Sequence, residues 1–183
     1  MRSLYWVGAV GVTMALGACA HGGSMGVPVA NAYAVVEDAS GNRVGVAAFG
    51  QDASGAMHVR LLVHGLTPGL HGVHVHGIGS CTAPAFTSAG GHFNPGASHH
   101  GLSNPLGPHA GDLPNMSVDP AGNADYNATT QHFSLTPGSA SVFDADGSAV
   151  VVHAGPDDNI SDPAGNSGAR IACGIIRSGI APN

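Results

Sequence analysis

The sequence predicts an all-β domain of about eight antiparallel strands, closed into a barrel or sandwich and interrupted by two long functional loops. Three observations predict it. Residues after Asn31 fall into short alternating or β-branched runs, Asp/Ser/Gly/Asn clusters stand between those runs, and long helix-forming stretches are missing after the first twenty residues. Ala32 to Glu37, Val44 to Phe49 and Ala56 to Val63 read as three consecutive strands. Asp38-Ala39-Ser40-Gly41-Asn42 and Asp52-Ala53-Ser54-Gly55 join them as tight turns. Further strands are expected at His71 to Gly77, Leu113 to Val118, Ala124 to Leu135, Ala149 to His153 and Arg170 to Ile176. Asp119-Pro120-Ala121-Gly122 and Asp144-Ala145-Asp146-Gly147 supply turn chemistry between some of them. Ile78 to Gly111 and Pro156 to Ala169 are rich in Gly, Pro and Asn and lack apolar periodicity; loops of that length in a compact domain usually carry function.

A chain of 183 residues has room for one domain. It contains no Lys, and its formal net charge of −6 excludes nucleic acid as a natural partner. The amino terminus reads as targeting: Arg2 is followed by an apolar run from Leu4 to Leu16, and Leu16-Gly17-Ala18-Cys19 ends it with small residues before a cysteine. That pattern resembles a bacterial lipoprotein signal, implying removal of residues 1–18, lipidation of Cys19 and membrane attachment in the cell envelope. A plain secretory peptide with an incidental cysteine is the alternative. Residues 19–30 then form a Gly-rich tether, and residues 31–183 the domain. With Cys19 assigned to lipid, Cys81 and Cys173 remain as a pair in an oxidising compartment, where a disulfide is expected rather than two buried thiols.

Twelve histidines are the compositional anomaly. In His74-Val75-His76 both imidazoles face the same side of a strand and can grip one ion, although two exposed strand histidines would be the plainer reading of that triplet alone. The first long loop adds Gly91-His92-Phe93-Asn94-Pro95, His99-His100 and His109-Ala110-Gly111-Asp112-Leu113. Three His and one Asp suit a closed tetrahedral zinc site. Val150-Val151-Val152-His153 places one more imidazole at the end of an apolar strand.

At these residues the chain resembles the copper/zinc superoxide dismutases in their secreted bacterial form. Gly72-Val73-His74-Val75-His76, Gly91-His92-Phe93-Asn94-Pro95, His109-Ala110-Gly111-Asp112-Leu113 and Gly168-Ala169-Arg170-Ile171-Ala172-Cys173-Gly174 occur in the family's order, over nearly the whole chain after the tether. The resemblance implies a Greek-key barrel with copper on His74, His76, His92 and His153. It implies zinc on His92, His100, His109 and Asp112, with His92 shared. His100 fits the family's spacing better than His99, Cys81 and Cys173 match the family disulfide, and His71 matches a histidine bonded to backbone. Asp157 matches a carboxylate that links His74 and His100. Arg170 matches a cation beside the open face of copper, where it would attract and position the anion. His58, His64 and His132 match no role.

Superoxide is the implied substrate. In the implied cycle one superoxide is oxidised to oxygen while His92 takes a proton; a second collects the electron and that proton, with one more from solvent, and leaves as hydrogen peroxide. Because Asp157 to Ala169 contains no Lys or Arg, long-range steering should be weaker than in members with lysines there. Related bacterial enzymes differ in oligomeric state, and a homodimer is compatible with the sequence. Two other classes fit less well. A zinc hydrolase needs an open ligand position and a nearby base, whereas the only Glu, Glu37, is remote from the His cluster. A copper and zinc storage protein would account for the histidines but not for Arg170, and a copper-only relative would lack His100, His109 and Asp112.

Overall fold

The computed structural model describes residue 1 and residues 30–181, so the proposed signal, Cys19 and most of the tether lie outside the described residues. Strands β1 (Ala30–Asp38), β2 (Arg43–Gln51) and β3 (Met57–Val63) form two antiparallel hairpins. The turns close through one repeated device. Asp38 Oδ1 accepts the N–H groups of Ser40 and Asn42 at 2.8 and 2.9 Å, and Asp52 Oδ1 accepts those of Ser54 and Ala56 at 2.8 and 3.1 Å. The predicted turn at Asp119 does the same for Ala121 and Asn123.

The remaining strands are β4 (Gly69–His71), β5 (Val73–His76), β6 (Met116–Val118), β7 (Ala124–Thr130), β8 (Ala149–His153), β9 (Arg170–Ile175) and β10 (Arg177–Ser178). The main sheet runs β5-β8-β9-β1-β2-β3-β7, every pair antiparallel, with β10 beside β1, while β4 and β6 make a separate ribbon. Val73 and Val75 at one end of that order share a single core with Val59, Leu61 and Tyr126 at the other. The sheet therefore curls around its own side chains, the arrangement expected of a small barrel. Helix is confined among the described residues to one 3-10 turn, Thr87–Ala89.

Beyond shifts of one or two residues at strand ends and the additional short β10, strand boundaries differ from expectation in three places. The run predicted at His71 to Gly77 divides at Gly72, whose N–H donates to Gly155 O at 2.8 Å instead of joining a ladder; β4 thereby pairs with β6, and β5 with β8. The run predicted from Ala124 stops at Thr130, where the Thr130 hydroxyl accepts His132 N–H at 3.2 Å and turns the chain; Phe133 and Leu135 still enter the core. The run from Leu113 starts as strand only at Met116, because Pro114 has no N–H to give a ladder.

β5 and β8 are buried along their whole length, unlike the strictly alternating β3. Val73, Val75, Val150 and Val152 point into the core, and the opposite face lies under the long loops. That covered outer face is where the histidines sit.

Candidate metal centre

Period-two geometry carries His74 and His76 to the outer face of β5, and His153 leaves the end of β8 at a register shift between Val152 and His153. The free edge of β5 is capped by the first long loop. Val75 N–H donates to Gly111 O and Phe93 N–H to Val75 O, each at 2.8 Å, which sets His92 opposite His76 and Asp112 opposite His74. A Cβ on Gly111 would collide with the Val75 carbonyl oxygen, so only glycine permits this approach.

Three donor groups result among the described residues, two of four members and a third, His74, His100 and Asp157, lying between them. His74, His76, His92 and His153 each offer one ligand atom, with all four atoms within 4.8 Å of one another; His92, His100, His109 and Asp112 satisfy the same limit. The hydrogen bonds explain which nitrogen each ring offers. His74 Nε2 donates to Asp157 Oδ2 at 2.6 Å, His76 Nδ1 to Gly90 O at 3.0 Å and His153 Nδ1 to Gly168 O at 3.1 Å, while His92 Nδ1 lies 2.8 Å from Asp112 Oδ1. The opposite nitrogens, His74 Nδ1, His76 Nε2, His92 Nε2 and His153 Nε2, are buried and have no protein partner. Orphaned buried nitrogens converging in one place fit a metal ion that prefers imidazole, as copper does.

The second group meets at Asp112. Its Oδ1 lies 2.8, 3.0 and 3.5 Å from Nδ1 of His92, His100 and His109, while Oδ2 accepts the N–H groups of Gly101 and His109 at 2.8 and 2.9 Å. Three imidazoles and a carboxylate suit zinc held in a closed site. His92 alone has one nitrogen in each four-member group.

Asp157 connects the two. Its Oδ2 accepts from His74, and its Oδ1 from His100 Nε2 at 3.0 Å, which leaves the other nitrogen of each ring for a metal. Gly165 packs over this carboxylate at φ 61°, and a Cβ there would collide with Asp157 Oδ1. Arg170 reaches across the mouth: its Nη1 donates to Phe86 O at 2.7 Å and its Nη2 to Gly90 O at 2.6 Å. Gly90 O thus receives both Arg170 and His76. Cys81 and Cys173 form a disulfide that joins the first long loop to β9, and Phe86 and Ala89 pack in one cluster with Cys173.

The other described histidines lie outside these groups. His71 Nδ1 lies 2.7 Å from His153 O and Nε2 lies 2.8 Å from Thr67 O, with the Thr67 hydroxyl 3.5 Å from the same nitrogen. His99 is exposed and pairs with Asp162, whose other oxygen accepts His100 N–H at 2.6 Å. His58 pairs with Asp52 at 2.9 Å on the surface, and His64 and His132 are exposed. Asn115, Gly165 and the carbonyls of Phe86 and Gly90 escaped the sequence reading, because nothing in the residue types announces a contact made with backbone or by a missing side chain.

Burial lowers the imidazoles of His74 to about 4, His76 to about 2 and His153 to about 3, in each case chiefly by desolvating the charged form. Burial would raise the carboxyls of Asp112 and Asp157, but hydrogen bonds outweigh it: His92 and the Gly101 N–H hold Asp112 at about 2, and His74 and His100 keep Asp157 below the usual carboxylate range. The folded metal-free protein therefore resists protons that the unfolded chain accepts below pH 6.5 at histidine and below pH 3.8 at aspartate. Since the unfolded state binds more protons, stability falls as pH falls. Melting of the metal-free protein followed by circular dichroism should show its midpoint dropping steadily from about pH 6.5 to about pH 4. A midpoint that rises over that interval would contradict buried neutral imidazoles.

Fold and site together define a class: a small β-barrel that brings two adjoining metal-donor groups onto its outer face and shares one imidazole between them. Residues 43–176 match the family described as copper/zinc superoxide dismutase (SODC). The chain is 45% identical over 148 residues to superoxide dismutase [Cu-Zn] 2 of Aquifex aeolicus, covering 80% of this chain and 86% of that one. Among solved structures it is similar to a SOD-like protein from Bacillus subtilis, with TM-score 0.75 and 38% identity over 78% of this chain and 96% of the other. It is also similar to the Cu/Zn superoxide dismutase from Brucella abortus, with TM-score 0.66 and 29% identity over 80% of this chain and 99% of the other. The chain belongs to the copper/zinc superoxide dismutase family, and copper and zinc are its metals.

Proposed function

We propose that this protein disposes of superoxide at the cell envelope, with copper held by His74, His76, His92 and His153 and zinc by His92, His100, His109 and Asp112. The observation that carries the reading is His92: Nε2 is orphaned within the all-histidine group while Nδ1 lies against Asp112 in the other. When bound, copper supplies one-electron chemistry and zinc a fixed positive charge. His92 Nε2 is then the atom at which a proton is held between the two half-reactions and from which it is given to the departing peroxide. Arg170, half-buried and braced by two carbonyls, presents its guanidinium to the incoming anion. The Leu16-Gly17-Ala18-Cys19 pattern supports export and a lipid anchor on Cys19, and a disulfide suits an oxidising compartment.

Metal analysis combined with a superoxide decay assay tests the activity. Turnover in proportion to bound copper is expected; a protein that holds both metals yet leaves superoxide decay at its spontaneous rate is a storage protein. Labelling of Cys19 with a fatty-acid probe in cells tests the anchor, and loss of label in Cys19→Ser with the soluble domain still exported is expected.

Arg170→Glu should lower the rate constant for superoxide by about tenfold or more without lowering metal content, because it puts a like charge where the anion must approach. An unchanged rate would remove Arg170 from the mechanism. From Asp157 to Ala169 the loop carries Asp158 and Asp162 but no Lys or Arg. The rate should therefore vary less than about threefold between about 10 and 150 mM salt, and a steep fall with salt would reveal steering from elsewhere on the surface.

A further inference from the structure

Asp157 lies in a loop without strand partners of its own, yet the orientation of two ligand rings depends on where its carboxylate stands. Within the same loop Asn159 donates its N–H to Asp157 Oδ1 at 2.6 Å and its Nδ2 to Asp157 O at 3.1 Å; the residue that holds Asp157 from outside the loop is Asn115, three positions after Asp112 and just before β6. Asn115 Oδ1 accepts the Asp157 N–H at 2.8 Å, and Asn115 Nδ2 donates to Asp157 O at 2.8 Å. A side-chain amide has one acceptor and one donor side by side, so here it takes the place of a strand neighbour for a single residue. Its orientation is determined by those contacts: a flipped amide would set donor against donor and acceptor against acceptor. The adjacent backbone is anchored in turn, with the Tyr126 hydroxyl of β7 donating to Pro114 O at 2.9 Å. A continuous set of bonds thus runs from the barrel wall through Asn115 to Asp157, and from there to His74 on one side and His100 on the other.

We propose that Asn115 is a positioning residue for the paired metal site, holding Asp157 where it can orient His74 and His100. The proposal rests on the orienting role of Asp157, so the two are tested together. Asn115→Ala removes both contacts, and Asp157→Asn removes the negative charge that receives the two rings. In fully metal-loaded protein, zinc release to a chromophoric chelator is expected to quicken roughly tenfold in either single variant, the size usual for groups that orient ligands. The Cu(II) electron paramagnetic resonance spectrum should change in the same sense in both. In the double variant, zinc release should match that of Asp157→Asn to within about twofold, because Asn115 then has nothing left to position. A Val59→Ala control in β3 sets how much release follows from lost core packing alone, and its copper spectrum should stay that of the parent.

Parent-like release and spectrum in Asn115→Ala would overturn the proposal, as would a full further tenfold loss when it is added to Asp157→Asn. Parent-like behaviour of Asp157→Asn itself would overturn the orienting role and the clamp with it. Should Asn115→Ala fail to fold, Asn115→Asp keeps the shape and the acceptor while dropping the donor; accelerated zinc release supports the clamp and unchanged release refutes it.

Discussion

Superoxide turnover in a His92→Ala variant should fall by roughly 10²- to 10⁴-fold, the range associated with removing a positioned proton donor and acceptor, and both metals should bind more weakly at once. The second half of this expectation is the more discriminating. Every other ligand nitrogen serves one four-member group, so His109→Ala should weaken zinc retention and leave copper affinity close to that of the parent. His92 belongs to both groups, with Nε2 orphaned in one and Nδ1 placed 2.8 Å from Asp112 Oδ1 in the other. Copper and zinc titrations of the two variants, read beside stopped-flow superoxide decay, separate the roles. If His92→Ala lost affinity for one metal while retaining the other unchanged, the ring would be an ordinary ligand and the proton path through it would fall.

A Cys173→Ser variant should lose about 4 to 5 kcal/mol of unfolding free energy, because the Cys81–Cys173 bond closes a sequence separation of 92 residues and the chain-entropy cost grows with the logarithm of loop length. In thermal melts that corresponds to a drop of roughly 10 to 20 °C for a domain of this size. Activity should fall as well, for a separate reason. Phe86 and Gly90, whose carbonyls brace Arg170, belong to the loop segment that the disulfide joins to β9, only three residues from Arg170. Release of that segment frees the guanidinium to sample other rotamers and also removes the carbonyl that holds His76 Nδ1. Denaturant unfolding of oxidised and reduced parent protein, with superoxide decay measured on the same samples, checks both consequences. Equal stability of the two forms would show that the bond restrains little of the unfolded chain.

The β-strands were legible wherever an alternating run was bounded by turn chemistry on both sides. Val44 to Phe49 and Ala56 to Val63 each lie within one residue of an observed strand, or inside it, because hydrophobic alternation and Asp-centred turns act over a few residues. Two boundary errors were local, at Pro114 and Thr130, and a third arose where a distant partner intervened. Gly72 interrupts an apolar run to bond Gly155, more than eighty positions away, and nothing within the run signals it. The same division holds at the site. The common face of His74 and His76 was readable from strand periodicity, whereas their ligand roles, that of His153 and the choice of His100 over His99 came from the family resemblance; in the fold the last is explained by Asp162, which binds the His99 ring and the His100 backbone and leaves the His100 ring inside.

By itself the sequence determined an all-β chain, the donor types in their order, the cysteine pair and the cation beside it, since these depend on residue identity and short-range pattern. Only the tertiary structure decided which nitrogen of each imidazole faces a metal, that Asn115 holds Asp157, and that Gly165 must lack a side chain. Those outcomes depend on contacts such as His74 with Asp157, 83 positions apart, and Asn115 with Asp157, 42 positions apart. Chain closure brings such groups within hydrogen-bond distance through the packing of the whole barrel, and no local propensity encodes that result.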